Sequence, residues 1–357
     1  MKISQKKALN VVKNLYPHKE VLFHYKNGNH FTTILSDGTR VRQTINVDEK
    51  SFSYDFSENC DVKITNCCTG VDGKLCEYCH ENSGPWGKHA DLNLPIFDTW
   101  KAGTEMAIGG GNIFEHPDLE FFLSRMKAKG VICNITVNQK HIKENYDTLI
   151  KLIRNNSVNG IGVSLIDSSD KETWSLVEKL NFISNGNIVI HTIVGLIEEK
   201  DIPLLKNKKV LILGYKDNVG RGVQYGKTFK GVLESNKNWL KDNLKRLSEI
   251  AQVLSFDNLA LAQLDAKNVL GLSDKEWKLR FQGKDYGDPN GDDAPSTFYF
   301  DAVNQTIGRS STQPYNERIK YTNQTFAEAF KASLSNYKVN EGEYGELNYG
   351  GVIKCCC

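Results

Sequence analysis

From residue 61 onward, short apolar runs alternate with stretches of helical period. The runs are DVKIT (61–65), EMAIGG (105–110), VICNITV (131–137), GIGVSL (160–165), NIVIHTIV (187–194) and KVLILGY (209–215). Between them helices are expected near 118–128, 141–154, 171–182 and 198–205. VLSFDNLAL (253–261) and TFYFDAV (297–303) read as further strands. This rhythm predicts βαβ units and a parallel sheet, whose right-handed crossovers gather the strand C-termini on one edge. Before residue 61 the pattern differs. Residues 5–16 fit a short amphipathic helix. Residues 20–49 fit a small antiparallel sheet with turn signals at Asn27-Gly28 and Asp37-Gly38.

Rhythm alone does not separate a doubly wound open sheet from a barrel. Polar residues inside the strands do. Lys63 and Thr65 share one face of the first strand, Asn134 and Thr136 one face of the third, and Ser164 and His191 follow in the fourth and fifth. The interior of a barrel accommodates such groups around a substrate, whereas an open sheet buries them under helices. The expected fold is α/β, a partial or complete TIM-like (β/α) barrel with a small N-terminal antiparallel element. Its expected parts are residues 1–57, a barrel core at 58–260, and an extension at 261–357 that completes or covers the barrel.

Composition adds little except at the cysteines. Hydrophobic residues are 39%, charged residues 25% and the net charge +2, which implies no broad basic face for nucleic acid. No apolar run is long enough to span a membrane, and the N-terminus has no signal-like apolar core. A cytoplasmic location is the expectation. Five of the nine cysteines lie between Cys60 and Cys79, a clustering that suits metal chemistry better than a disulfide framework.

Cys68, Cys76 and Cys79 form C-x7-C-x2-C. Thiolates are soft ligands that suit an iron–sulfur cluster or zinc. Three of them leave one corner of a four-iron cluster open. Zinc needs a fourth group, for which His80, His89 and Cys67 are candidates, but no second paired knuckle exists. Cys67 is also an alternative to Cys68, although adjacent strand-end residues point in different directions.

The segments KITN, CHENS, GKHADL and AIGGGNIFEHPDL, with Tyr78 just before Cys79, resemble the radical S-adenosylmethionine superfamily. The resemblance covers roughly residues 58–260. It implies a [4Fe-4S] cluster on Cys68, Cys76 and Cys79, whose open iron chelates S-adenosylmethionine and cleaves it reductively. The resulting 5′-deoxyadenosyl radical abstracts a substrate hydrogen. The usual spacing is C-x3-C-x2-C, so this chain has an enlarged loop, TGVDGKL, which some members also have. The family's single non-cysteine residue before its first ligand favours Cys68.

The resemblance places the cofactor against Gly109, Gly110 and Gly111, where absent Cβ atoms let the backbone approach a ligand. Asn112 stands where an acidic residue is common. Tyr78, Ser164 and His191 complete the expected cofactor contacts. Lys63, Asn134, Thr136, Thr192, Lys216, Asp257, Asn258 and Arg309 are weaker substrate candidates, and His116 is read as structural. A low-potential donor of flavodoxin or ferredoxin type is implied, with a small molecule or peptide as substrate. The alternatives are a zinc-dependent barrel hydrolase, for which no HxH or HExxH pairing exists, and a noncatalytic iron–sulfur or zinc module. The terminal Cys355-Cys356-Cys357 run has no assigned role.

Overall fold

Branched and aromatic residues at alternate positions build two sheets of different kinds. The computed structural model describes residues 2–49, 52–70, 73–273, 276–277 and 296–335. Residues 284–295 of the acidic loop and the terminal cysteine run lie outside them. The first sheet is antiparallel, in the order β1 (Val21–Asn27), β2 (His30–Leu35) and β3 (Arg40–Thr44). Gly28 makes its first turn at φ +57°, where any Cβ would also lie 2.0 Å from the Ser53 carbonyl oxygen. The helix Gln5–Leu15, capped by the Ser4 hydroxyl, buries Ala8 and Val12.

The second sheet carries the core. It has ten strands, in the order β10-β9-β8-β7-β6-β5-β4-β11-β12-β13. In chain order these are β4 (Asn59–Thr65), β5 (Glu105–Gly110), β6 (Ile132–Asn138), β7 (Gly160–Ser164), β8 (Ile188–Ile193), β9 (Lys209–Leu213), β10 (Val253–Phe256), β11 (Thr297–Asp301), β12 (Thr306–Gly308) and β13 (Ile319–Lys320). Every pairing from β10 through β4 to β11 is parallel, and β12 and β13 add antiparallel. Strands that succeed one another in one direction, joined by right-handed crossovers, keep their helices on one face and curl the sheet. Among the described residues no pairing joins β10 to β11. The fold is therefore a partial α/β barrel with a small N-terminal antiparallel sheet.

Alternation sorts the strands into two faces. Val62, Ile64, Met106, Ile108, Ile135 and Ile161 are buried in the hydrophobic core with Leu119, Phe122 and Leu123 of the helix Leu119–Ala128. Lys63, Ala107, Asn134, Gly162 and His191 take the opposite, interior face.

Two expectations need correction. The apolar run 253–261 is not one strand. β10 stops at Phe256, and Asp257 caps the helix Asn258–Leu264, its Oδ1 accepting from the Ala260 amide at 2.7 Å. Side-chain capping outcompetes continuation of the strand there. The sequence reading also passed over the helix Lys230–Ile250, which buries only Leu240, Leu244 and Leu247. No helix among the described residues is long and apolar enough to cross a membrane.

Charged groups join the small sheet to the N-terminal ends of β4 and β5. Fully buried Glu58 receives Arg42 at 2.6 Å, His30 at 3.3 Å and Thr32 at 2.5 Å, while Arg40 reaches Glu105 at 2.8 Å. Burial alone would raise the Glu58 pKa. The Arg42 and Arg40 charges and the bonds from His30 and Thr32 outweigh it and hold the carboxyl well below its usual range.

Candidate metal and cofactor site

The loop after β4 is pinned to its surroundings by backbone hydrogen bonds. The Cys68 amide donates to the Gly84 carbonyl at 3.0 Å, and the Cys67 carbonyl accepts from the Asn112 amide at 2.8 Å. Farther along, the Cys79 amide donates to the Cys76 carbonyl at 3.3 Å. Arg221 ties down the same turn. Its Nε donates to the Cys76 carbonyl at 2.9 Å, its amide to the Cys79 carbonyl at 3.0 Å, and its Nη1 to Asn82 at 3.2 Å.

Cys68, Cys76 and Cys79 are half-buried free thiols on this loop, close enough to feel one another's charge. Burial, followed for Cys76 by the neighbouring thiols, pushes Cys68 and Cys76 above the usual thiol range. Asn138 donates Nδ2 to Cys76 Sγ at 3.5 Å. Among the described residues no three His, Cys, Asp or Glu side chains converge as they must around one metal ion. Three soft donors spread over one loop suit a multi-iron cluster, which is ligated at separate corners.

The glycine run divides in two. A Cβ on Gly110 would meet the Thr65 carbonyl oxygen at 2.1 Å, and one on Gly111 the Cys67 carbonyl oxygen at 2.0 Å. These two glycines let the end of β5 press against the cysteine loop. Only Gly109 faces open space, with nothing within 4 Å of a Cβ placed there. Asn112 is committed locally: its Oδ1 accepts from the Phe114 amide at 3.3 Å and its Nδ2 donates to Glu115 at 3.2 Å. Tyr78 packs edge-on against Tyr225 with centroids 5.6 Å apart.

Across the interior, Asn138, Ser164 and His191 lie side by side in register on β6, β7 and β8. The His191 ring occupies the space over Gly162, where a Cβ would come within 2.2 Å of it. Among the described residues its Nδ1 is buried without a hydrogen-bond partner, as is Asn134 Oδ1. Burial pushes the His191 pKa down to about 4, so the ring is neutral at pH 7.

The other wall is charged. Lys63 Nζ lies 2.7 Å from Glu81 and 3.3 Å from Asp301, and Arg318 lies 3.6 Å from Asp301. His80 meets Glu81 at 3.3 Å and the Lys216 ammonium at 3.1 Å. Lys216 also donates to Ser311 at 2.7 Å. Arg309 turns away, its Nη1 donating to Ser333 of the helix Phe326–Ser335 at 3.0 Å. His116 bonds the Ala90 carbonyl at 3.1 Å and accepts from the Asp118 amide at 3.1 Å, as a structural residue does. Sequence reading missed Arg221, Glu81 and Asn138. Only Asn138 had a visible signal, since it continues the Asn134–Thr136 alternation.

No protein-family profile matches the chain, and no curated protein matches it. Solved structures resemble it loosely. Streptococcus suis SuiB bound to precursor peptide SuiA aligns with TM-score 0.48 and 15% identity, over 82% of this chain and 66% of SuiB. SuiB bound to S-adenosylmethionine gives TM-score 0.47 and 13% identity, over 71% and 60%. BtrN in complex with AdoMet and 2-DOIA gives TM-score 0.29 and 10% identity, over 55% and 92%. The chain thus spans just under two thirds of SuiB.

Proposed function

We propose that this protein is a radical S-adenosylmethionine enzyme. The observation that carries the reading is the placement of Cys68, Cys76 and Cys79 on one loop after the C-terminal end of β4, against which the end of β5 packs through Gly110 and Gly111. Active sites of parallel barrels form at that edge.

Cys68, Cys76 and Cys79 would hold a [4Fe-4S] cluster, with S-adenosylmethionine beside Gly109. When bound, the pair supplies one-electron cleavage of the sulfonium and a 5′-deoxyadenosyl radical that abstracts substrate hydrogen. The chain's own residues prepare the site. Arg221 fixes the Cys76–Cys79 turn, and Asn138 donates to Cys76 sulfur, a type of bond that tunes cluster potential. Neutral His191 and Asn134 offer unpartnered polar atoms to a ligand. A flavodoxin- or ferredoxin-type donor would supply the electron, and the substrate would be a small molecule or a peptide.

The test is anaerobic reconstitution with iron and sulfide. The reading expects about four irons per chain, a cluster absorbance and, with S-adenosylmethionine and dithionite, 5′-deoxyadenosine. Tight zinc uptake with neither signal overturns it.

A further inference from the structure

One carboxylate on the interior face has no partner among the described residues. Asp61 stands mid-strand on the interior face of β4, in register with Ala107 of β5 and Tyr299 of β11. Among the described residues no hydrogen bond or ion pair reaches its carboxylate, and its side chain remains open to water. Its neighbours are otherwise engaged. Lys63 and Arg318 are balanced by Glu81 and Asp301. Lys216, across the barrel, is held by His80 and Ser311. Asp257 accepts from the Gly214 and Ala260 amides at 2.9 and 2.7 Å.

The charges facing this space are therefore Asp61 and Asp257 against Lys216, an excess of one negative charge. Enclosure pushes the Asp61 pKa up to about 6, with Lys216 opposing and Asp257 reinforcing the shift. Even so, the group is mostly ionised at pH 7. A carboxylate on the interior face with no partner among the described residues is free to accept a charge-assisted hydrogen bond from a cation. Ala107 beside it leaves room for one.

We propose that Asp61 receives a protonated nitrogen of the substrate, an amine or guanidinium, and so selects cationic substrates. This rests on the reading of the barrel interior as the substrate site of a radical enzyme.

The probe is n-butylamine, with n-butanol as its uncharged isostere. Binding is followed by saturation-transfer NMR on the full chain without iron. Wild type should bind the amine at least about tenfold more tightly than the alcohol. Asp61→Asn should erase that preference while Asp61→Glu keeps part of it. Equal binding of amine and alcohol by wild type, or an unchanged preference in Asp61→Asn, overturns the proposal. Thermal unfolding of each variant verifies that it is folded. Iron uptake, measured separately, tests the radical-enzyme reading. Amine selectivity without iron uptake refutes that reading alone, and iron uptake without amine selectivity refutes the role of Asp61 alone.

Discussion

The two ends of β4 are built on opposite principles. At its N-terminal end, Glu58 sits fully buried and is met by Arg42, Arg40, His30 and Thr32. Toward its C-terminal end the free thiols gather, and at the same edge His191 Nδ1 has no hydrogen-bond partner among the described residues. Buried polar groups are ordinarily satisfied, so an unpartnered ring nitrogen on the interior face leaves bonding capacity there. On the proposed reading the same strand serves stability at one end and ligand binding at the other, as parallel barrels generally do.

The contrast can be broken from either side. The largest expected effect is on metal content. Replacing Cys68, Cys76 and Cys79 together by alanine should take reconstituted iron from about four per chain to none. The unfolding free energy of the iron-free chain should change by less than about 1 kcal/mol. At the other end, Glu58→Ala removes the buried carboxylate that meets Arg42, His30 and Thr32. It should cost about 3–5 kcal/mol in urea denaturation and leave the iron taken up per folded molecule unchanged. If Glu58→Ala abolished iron uptake in folded protein, the two ends would not be independent.

Gly109 and Gly111 sharpen the boundary. Gly111→Ala drives a methyl into the Cys67 carbonyl and should cost about 1–3 kcal/mol, read from the thermal midpoint. Gly109→Ala meets nothing and should stay within about 0.5 kcal/mol of wild type. Equilibrium dialysis of the reconstituted protein should nevertheless show weaker S-adenosylmethionine binding.

A further effect is on pH dependence. The pKa of His191 is about 4 in the folded chain against an ordinary 6.5. Between those values the unfolded chain binds the proton and the folded chain does not. Stability is therefore full above 6.5 and falls as pH drops toward 4. His191→Gln should flatten this slope by roughly 1–3 kcal/mol in denaturation midpoints compared at pH 7 and 4.5. An unaltered slope would mean that the ring is not enclosed.

Much of this contrast was legible in the sequence. The strands from β4 to β9, and β11, announced themselves because each lies in a short, mostly apolar run bounded by polar or turn residues. The interior face showed through polar residues at every second position, Lys63 with Thr65 and Asn134 with Thr136. What stayed hidden has physical reasons. In VLSFDNLAL the apolar run continues across a strand end, an N-cap and a helix, and periodicity over so few residues does not distinguish them. The helix Lys230–Ile250 leaves much of its surface to solvent, so only three leucines carry its period. The glycine run was read as a ligand cradle, yet Gly110 and Gly111 are needed for packing against the cysteine loop and only Gly109 is open. Arg221 and the Glu58 cluster depend on contacts between distant segments, which no local pattern records.

The pairing of β11 with β4 sets a schedule for the chain's birth. Lys63 and Asp301 are 238 residues apart in sequence, yet meet on adjacent strands. At the usual pace of synthesis, about 5–20 residues per second, β4 leaves the ribosome roughly 12–50 s before the strand that covers its open edge. Throughout that interval the cysteine loop is tethered to a strand with one bare edge. Iron delivered during translation would meet a flexible, oxidisable thiol loop, whereas iron delivered after release would meet a fixed one.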